Sequence, residues 1–302
     1  MRYVLITPAK NEKRFIAKTL DSMVTQTLLP ERWVIVDDGS TDNTAEIVES
    51  YARRYPWIEL IRREPLPHRD FAGKVHAFNA GLARVQQLVE FEVIGNLDAD
   101  LSFDPGYLEF LIEKFAEDPR LGVAGTPFTE DGGYDSAKDS FEGENHVPGG
   151  CQLFRRHCFE AVGGFCSNPA GGVDWIAVTT ARMKGWRTRS FPEKRFHHYR
   201  PLGTAAKSSV AASFSYGEKD YYLGGSPIWQ LFRVAFRATK RPIAGLALLF
   251  GYCWGAIRRT ERPVSNELMR FHRREQMKKL NAIFQAVIRF KKPDSFFLAT
   301  EQ

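Results

Sequence analysis

A chain of 302 residues, 43% hydrophobic and 26% charged, has the composition of a globular protein and excludes a disordered one. Its formal charge of +6 is unevenly spread: residues 233–302 hold 15 Lys and Arg against 5 Asp and Glu, and the 232 before them hold 27 against 31. The slightly acidic body argues against nucleic acid as a partner, while the basic tail suits an anionic surface, most often membrane lipid.

The first 125 residues alternate short apolar runs with helix-period segments, the pattern of βαβ units and a mostly parallel sheet. Arg2–Thr7 reads as a strand from the outset, which predicts a cytoplasmic chain. A helix over Glu12–Thr27 places Ile16, Leu20, Met23 and Val24 on one face. Strands follow at Arg32–Asp37, Trp57–Arg62, Phe91–Leu97 and Leu121–Gly125. The helices between them are Thr41–Tyr55, with Ser40 or Thr41 as its N-cap, Gly73–Val89 and Asp104–Glu117. From Thr126 to Gly150 the periodicity fails, and a long functional loop is expected. A strand at Cys151–Arg155, a helix at Val173–Lys184 and a strand near Arg187–Phe191 come next. Residues 201–227, rich in Ser, Ala, Gly and Tyr, read as mobile. The spacing of Cys151, Cys158, Cys166 and Cys253 fits no zinc site, and buried free thiols explain them as well as disulfides do.

Ligands of an open parallel sheet bind beyond the carboxyl ends of its strands. Three polar clusters fall there: Pro8-Ala9-Lys10-Asn11-Glu12, Asp37-Asp38-Gly39-Ser40-Thr41-Asp42 and Asp98-Ala99-Asp100. The second alone would pass for a turn and helix cap. The third is more telling, because the apolar run Val93-Ile94-Gly95-Asn96-Leu97 leads straight into two acids. Carboxylates so placed offer hard oxygen ligands to Mg²⁺ or Mn²⁺, and such a cation neutralises a diphosphate. No G-x-G-x-x-G follows the first strand, which argues against a dehydrogenase.

These clusters, joined by Gly73-Lys74-x-x-Ala77-x-Asn79-x-Gly81, Gly149-Gly150-x-x-Leu153-Phe154-Arg155-Arg156 and Val162-Gly163-Gly164-Phe165, resemble the family-2 inverting glycosyltransferases over Arg2–Arg200. The resemblance implies an α/β GT-A fold with a mostly parallel sheet flanked by helices, and a nucleotide-sugar donor. It puts Asp38 at the nucleobase, Pro8 and Glu12 around base and ribose, Lys74 near the diphosphate, Asp98 at ribose or metal, and Asp100 on the divalent metal. The family's base comes from a Glu-Asp pair about a dozen residues before a Gly-aromatic pair. Counting back from Gly185-Trp186 leaves Val173-Asp174, so the first acid is missing and Asp174 takes the role; it would equally cap a helix after Gly171-Gly172. Of His197 and His198 only one can face inward; alignment from Pro192 favours His198, either as a metal ligand or as a hydrogen-bonded core histidine. Gln230-x-x-Arg233 resembles a motif of processive synthases, with Val234 in place of its Trp.

The expected division is a catalytic domain over 1–227 and a helical, basic appendage over 228–302. Ile243–Ile257 carries no charge for 15 residues, too few to span a bilayer. Glu267–Lys292 mixes apolar and basic residues as a surface helix does. Two readings follow: residues 233–292 attach the chain to the inner face of the plasma membrane, or they pack against a domain or a second copy. The expected activity is transfer of a sugar to a hydroxyl of a glycan or lipid-linked acceptor in cell-envelope synthesis. Transfer to a polyprenyl phosphate and a non-catalytic nucleotide-sugar-binding role are the rivals.

Overall fold

A computed structural model describes residues 1–64, 71–139, 143–168, 171–200 and 209–288. The chain divides into two compact units, Met1–Arg200 and Pro201–Gln302.

In the first unit the strands are β1 (Tyr3–Ala9), β2 (Arg32–Asp37), β3 (Ile58–Arg62), β4 (Val93–Leu97), β5 (Leu101–Phe103), β6 (Leu121–Gly125), β7 (Phe128–Glu130), β8 (Cys151–Arg155), β9 (Arg187–Ser190) and β10 (Phe196–His198). Its helices are α1 (Ile16–Val24), α2 (Thr44–Ala52), α3 (Phe71–Leu88), α4 (Tyr107–Glu117), α5 (Ser136–Asp139), α6 (Arg156–Val162) and α7 (Val173–Met183). Seven strands form one sheet in the order β3-β2-β1-β4-β8-β6-β9. It is parallel except for β8, which runs antiparallel to both β4 and β6. The central strands are apolar on both faces because both are covered. Tyr3 and Leu5 point into a core with Leu20, Met23, Leu111 and Phe115 of α1 and α4. Val4 and Ile6 point the other way, onto Ala77 and Phe78 of α3 and Val178 of α7.

The expected α/β fold is therefore present, with two additions and one shifted helix start. Strands β5, β10 and β7 form a second sheet in that order, and β7 and α5 occupy part of the stretch expected to be loop. Helix α2 begins at Thr44, three residues later than expected, because Ser40 and Thr41 are engaged elsewhere.

Small residues set how closely α3 lies on the sheet. A Cβ on Gly81 would fall 2.6 Å from Ile6 Cγ2 and 3.1 Å from Val36 Cγ2, and one turn earlier Ala77 is fully buried. Gly81→Val is expected to cost about 1–3 kcal/mol through overpacking, read as a lower urea midpoint. Cys151 and Cys158 are buried and unbridged; burial pushes both thiols up to about 12, which makes them inert.

The second unit holds α8 (Ser209–Tyr222), α9 (Pro227–Lys240), α10 (Pro242–Ile257) and α11 (Asn266–Ile288). The expected boundary at 227/228 moves to 200/201 because α8 packs along the length of α10. The stretch read as mobile thus holds a helix over 209–222, while 201–208 lie outside the described residues. Three aromatics here are packing groups: Tyr222 and Trp229 are buried, and Tyr221 contacts Tyr252 and the Arg262 guanidinium. Arg233 pairs with Asp220 at 2.5 Å. Helix α11 buries Leu268 and Leu280 inside the unit and leaves Phe284 and Ile288 exposed. Among the described residues, no helix is long and apolar enough to cross a membrane.

Candidate active site

The carboxyl ends of β1 and β2 are tied to each other. Asp38 N donates to Ala9 O at 2.8 Å. Asn11, at φ 58°, accepts from Thr41 N at 2.8 Å through its side-chain oxygen, while its own N–H donates to Ser40 Oγ at 2.9 Å. Asn tolerates this left-handed backbone better than most residues. Thr44 Oγ1 accepts from Glu12 N at 2.8 Å. The hydroxyls expected to cap α2 thus hold the two loops together, with Pro8 half-buried at the rim. The Asp38 carboxylate accepts from Arg63 at 2.8 Å, with Lys10 Nζ 4.0 Å away.

Lys74, in the first turns of α3, reaches across to Asp98 at the end of β4, with Nζ to Oδ1 at 2.5 Å. Asn96 also donates to that oxygen at 3.2 Å, and to Gly149 O at 2.7 Å. Desolvation works against charge on Lys74, but the Asp98 carboxylate, joined by Asp174 and Asp100, outweighs it and raises the amine's pKa. Three acids from two segments therefore act on one amine. Asp174 is the second residue of α7, whose N-cap is Gly172 rather than Asp174. It packs so tightly against Gly149 that a Cβ there would sit 2.8 Å from its Oδ2.

Asp100 leaves the main sheet at the start of β5. Strand β10 lies beside β5, with His198 opposite Leu101, and beside β7, with His198 opposite Glu130. This register fixes which histidine turns inward. His198 Nε2 lies 3.5 Å from Asp100 and Nδ1 3.2 Å from Glu130, whereas His197 turns to Asp131 and Thr129. Burial opposes a charged imidazole at His198, yet its hydrogen bond to Asp100, that carboxylate's charge and Glu130 overcome it and raise its pKa. Burial likewise pushes the Asp100 carboxyl up, but His198, then Arg200 and Lys74, hold it below the ordinary range. Arg200 completes the cluster, bonded to Glu12 and 3.7 Å from Asp100.

Lys74, Asp98, Asp100, Asp174 and His198 are thus gathered, and Glu12 reaches them through Arg200. Asp38 and Pro8 stand at the neighbouring strand ends. Sequence reasoning missed Arg63, Asn96, Glu130 and Arg200. Arg63 follows the end of β3 directly, a position that could have been inspected; the other three announce themselves only through tertiary pairing.

Residues 4–149 match the model of Glycosyl transferase family 2. They form a family-2 glycosyltransferase domain. The chain is 30% identical over 122 residues to a poly-beta-1,6-N-acetyl-D-glucosamine synthase of Staphylococcus epidermidis, covering 39% of this chain and 26% of that one. The same named protein of Staphylococcus aureus is 30% identical over 118 residues. The chain therefore spans about a quarter of the length of these relatives. Among solved structures, the mannosyltransferase PcManGT from Pyrobaculum calidifontis, in complex with GDP-Man and Mn²⁺, gives a TM-score of 0.57 at 22% identity, covering 97% of this chain and 81% of that one. S. aureus TarS 1-349, in complex with UDP-GlcNAc, gives 0.56 at 17%, covering 90% and 78%. These likenesses show the shared GT-A fold.

Asp100 and His198 are the pair that could hold a divalent cation. Among the described residues, no three His, Cys, Asp or Glu side chains form a ready cage, but Mg²⁺-like ions in phosphate sites take only one or two carboxylates and fill the rest from substrate and water. Asp100 and His198 place their facing atoms 3.5 Å apart, near the ~3 Å between adjacent ligands of an octahedral ion with bonds of about 2.1 Å. Glu130 holds the far imidazole nitrogen, the outer-shell contact that orients a ligating histidine. Asp98 has one oxygen engaged by Lys74 and Asn96.

Proposed function

We propose that this chain transfers a sugar, with inversion, from a nucleoside-diphosphate donor to a hydroxyl of a glycan or lipid-linked acceptor in cell-envelope polysaccharide or glycoconjugate synthesis. The observation that carries the reading is the meeting of Lys74, Asp98, Asp100 and Asp174 at the carboxyl edge of a parallel sheet. Lys74 supplies a fixed cation for diphosphate charge that grows as the glycosidic bond breaks. Asp98, steadied by Asn96, orients Lys74 and faces the ribose. Asp38 takes the nucleobase edge, with Arg63 fixing its carboxylate, and Pro8 and Glu12 line the base and ribose. A divalent cation, Mn²⁺ or Mg²⁺, held by Asp100 and His198 with Asp98 nearby, would add charge neutralisation at the departing diphosphate. Asp174 accepts the proton of the attacking hydroxyl. The acceptor chemistry favours a chain working at the inner face of the plasma membrane, attached through the basic segment 233–292.

A UDP-sugar is the first donor to test, and UDP-GlcNAc the first of those, on the strength of what the similar proteins are named for. With Mn²⁺ present and donor at about 100 times its Kd, binding should stabilise the fold by about 2.7 kcal/mol, a rise in Tm of about 5 °C or more. UDP-GlcNAc should give the largest rise in a panel with UDP-glucose, dTDP-glucose and GDP-mannose, and should also support transfer of its labelled sugar. A panel in which no donor moves the Tm would rule the reading out.

A further inference from the structure

Helix α10 is built the wrong way round for water. Five of the seven buried residues on its inner side are small, Ala244, Gly245, Ala247, Gly251 and Gly255, with Leu248 and Tyr252 beside them. A Cβ on Gly251 would lie 2.0 Å from Phe214 O, and one on Gly217 of α8 would lie 2.1 Å from Leu248 O, so the two helices meet backbone to backbone. Its outward side is large and apolar: Ile243 is 68% exposed, Leu246 53%, Phe250 63%, Trp254 41% and Ile257 74%. At about 100° per residue these five fall within an arc of about 80°. A helix in water buries its large apolar residues and avoids a continuous apolar stripe. Helix pairs in lipid do the reverse, putting small residues at the contact and large ones outward.

The ends of the stripe identify what covers it. Arg241 precedes the helix, Arg258 and Arg259 follow it, and all three are exposed. The Arg258 guanidinium lies 4.7 Å over the Trp254 ring, an aromatic and basic pairing suited to the headgroup level. A second copy docked antiparallel would set Arg241 against Arg258 and Arg259, like charges facing each other. Anionic headgroups complement them instead. Sixteen residues make a helix of about 24 Å, shorter than the ~30 Å hydrocarbon layer, so the helix lies in the interface and does not span.

We propose that α10 is the membrane-contacting surface of the chain, lying in an anionic bilayer with the Ile243–Ile257 stripe among the acyl chains and the flanking arginines at the phosphates. The proposal rests on the attachment reading above and narrows its surface from the segment 233–292 to the charge-free α10. Helix α11 leaves Phe284 and Ile288 exposed near its end, but its middle is held inside the unit, with Arg273 donating to Gly224 O and Gln276 Oε1 accepting from Ser226 N.

The test is co-sedimentation of the full chain with phosphatidylcholine vesicles, with and without phosphatidylglycerol. The unchanged protein should bind the anionic vesicles. Leu246→Glu with Phe250→Glu, both on the exposed face, should lower that partition at least about tenfold while leaving the circular-dichroism melt in place. Arg258→Gln with Arg259→Gln should lower it by about tenfold or more, on anionic vesicles alone. Binding that survives both pairs but is lost with Arg270→Gln, Arg274→Gln and Lys278→Gln would assign the membrane to α11 and overturn the α10 proposal. No vesicle binding by the unchanged protein would sink the attachment reading itself. So would a concentration-dependent dimer abolished by the Glu pair in a chain that ignores vesicles.

Discussion

Asp174→Asn should lower kcat for sugar transfer by about 10²–10⁴-fold, the usual contribution of a positioned base, and leave donor affinity within about twofold. The substitution keeps shape and removes the ability to take a proton. Asp174 is fixed by the helix that carries it: Trp175, Ile176, Ala177 and Val178 are buried behind it, and Gly149 closes on its carboxylate side. Asn fits the same space, so a fall in rate would report chemistry rather than collapse, which an unchanged melt would verify. Donor titration by calorimetry separates binding from turnover. A variant that retained nearly full activity would exclude a hydroxyl acceptor activated by this residue and favour an acceptor phosphate, which arrives already ionised and needs no base.

Much of this site was legible because backbone position dictates it. Strands β1, β2 and β4 read clearly as near-continuous apolar runs, since both faces of a parallel sheet are covered, and their carboxyl ends named Glu12, Asp38, Asp98 and Asp100 as neighbours. What was not legible has a common cause. Strands β5, β7 and β10 are three residues each, too short to show a period of two, yet their pairing is what joins His198 to Asp100 and Glu130. The start of α2 was misplaced because Ser40 and Thr41 make good caps locally, while Asn11, some thirty residues away, competes for them. Helix α8 was hidden by its own composition. Ser, Ala and Gly resemble a loop in sequence, but here Gly217 is what lets α10 approach.

The same pairing logic gives Asp100→Asn the second large effect. Asp100 is 6% exposed and faces His198 Nε2 at 3.5 Å and Arg200 Nε at 3.7 Å, so its charge balances two cationic neighbours at once. Removing a charged partner from a buried pair costs up to about 3–5 kcal/mol. Arg200 retains Glu12 and His198 retains Glu130, which places the expected loss nearer about 1–3 kcal/mol. The functional loss should be larger, about 10²–10³-fold in transfer, in line with removal of one electrostatic stabiliser of a leaving group. Mn²⁺ binding in the presence of UDP, followed by electron paramagnetic resonance, should weaken at least about tenfold. His198→Ala should weaken it as well, because the imidazole is the other donor, and Glu130→Gln should do so less, because it only orients that donor. If Asp100→Asn destabilised the fold while Mn²⁺ affinity and transfer per folded molecule stayed unchanged, the Asp100–His198 pair would be a structural bridge between β5 and β10, and the cation would have to be held elsewhere.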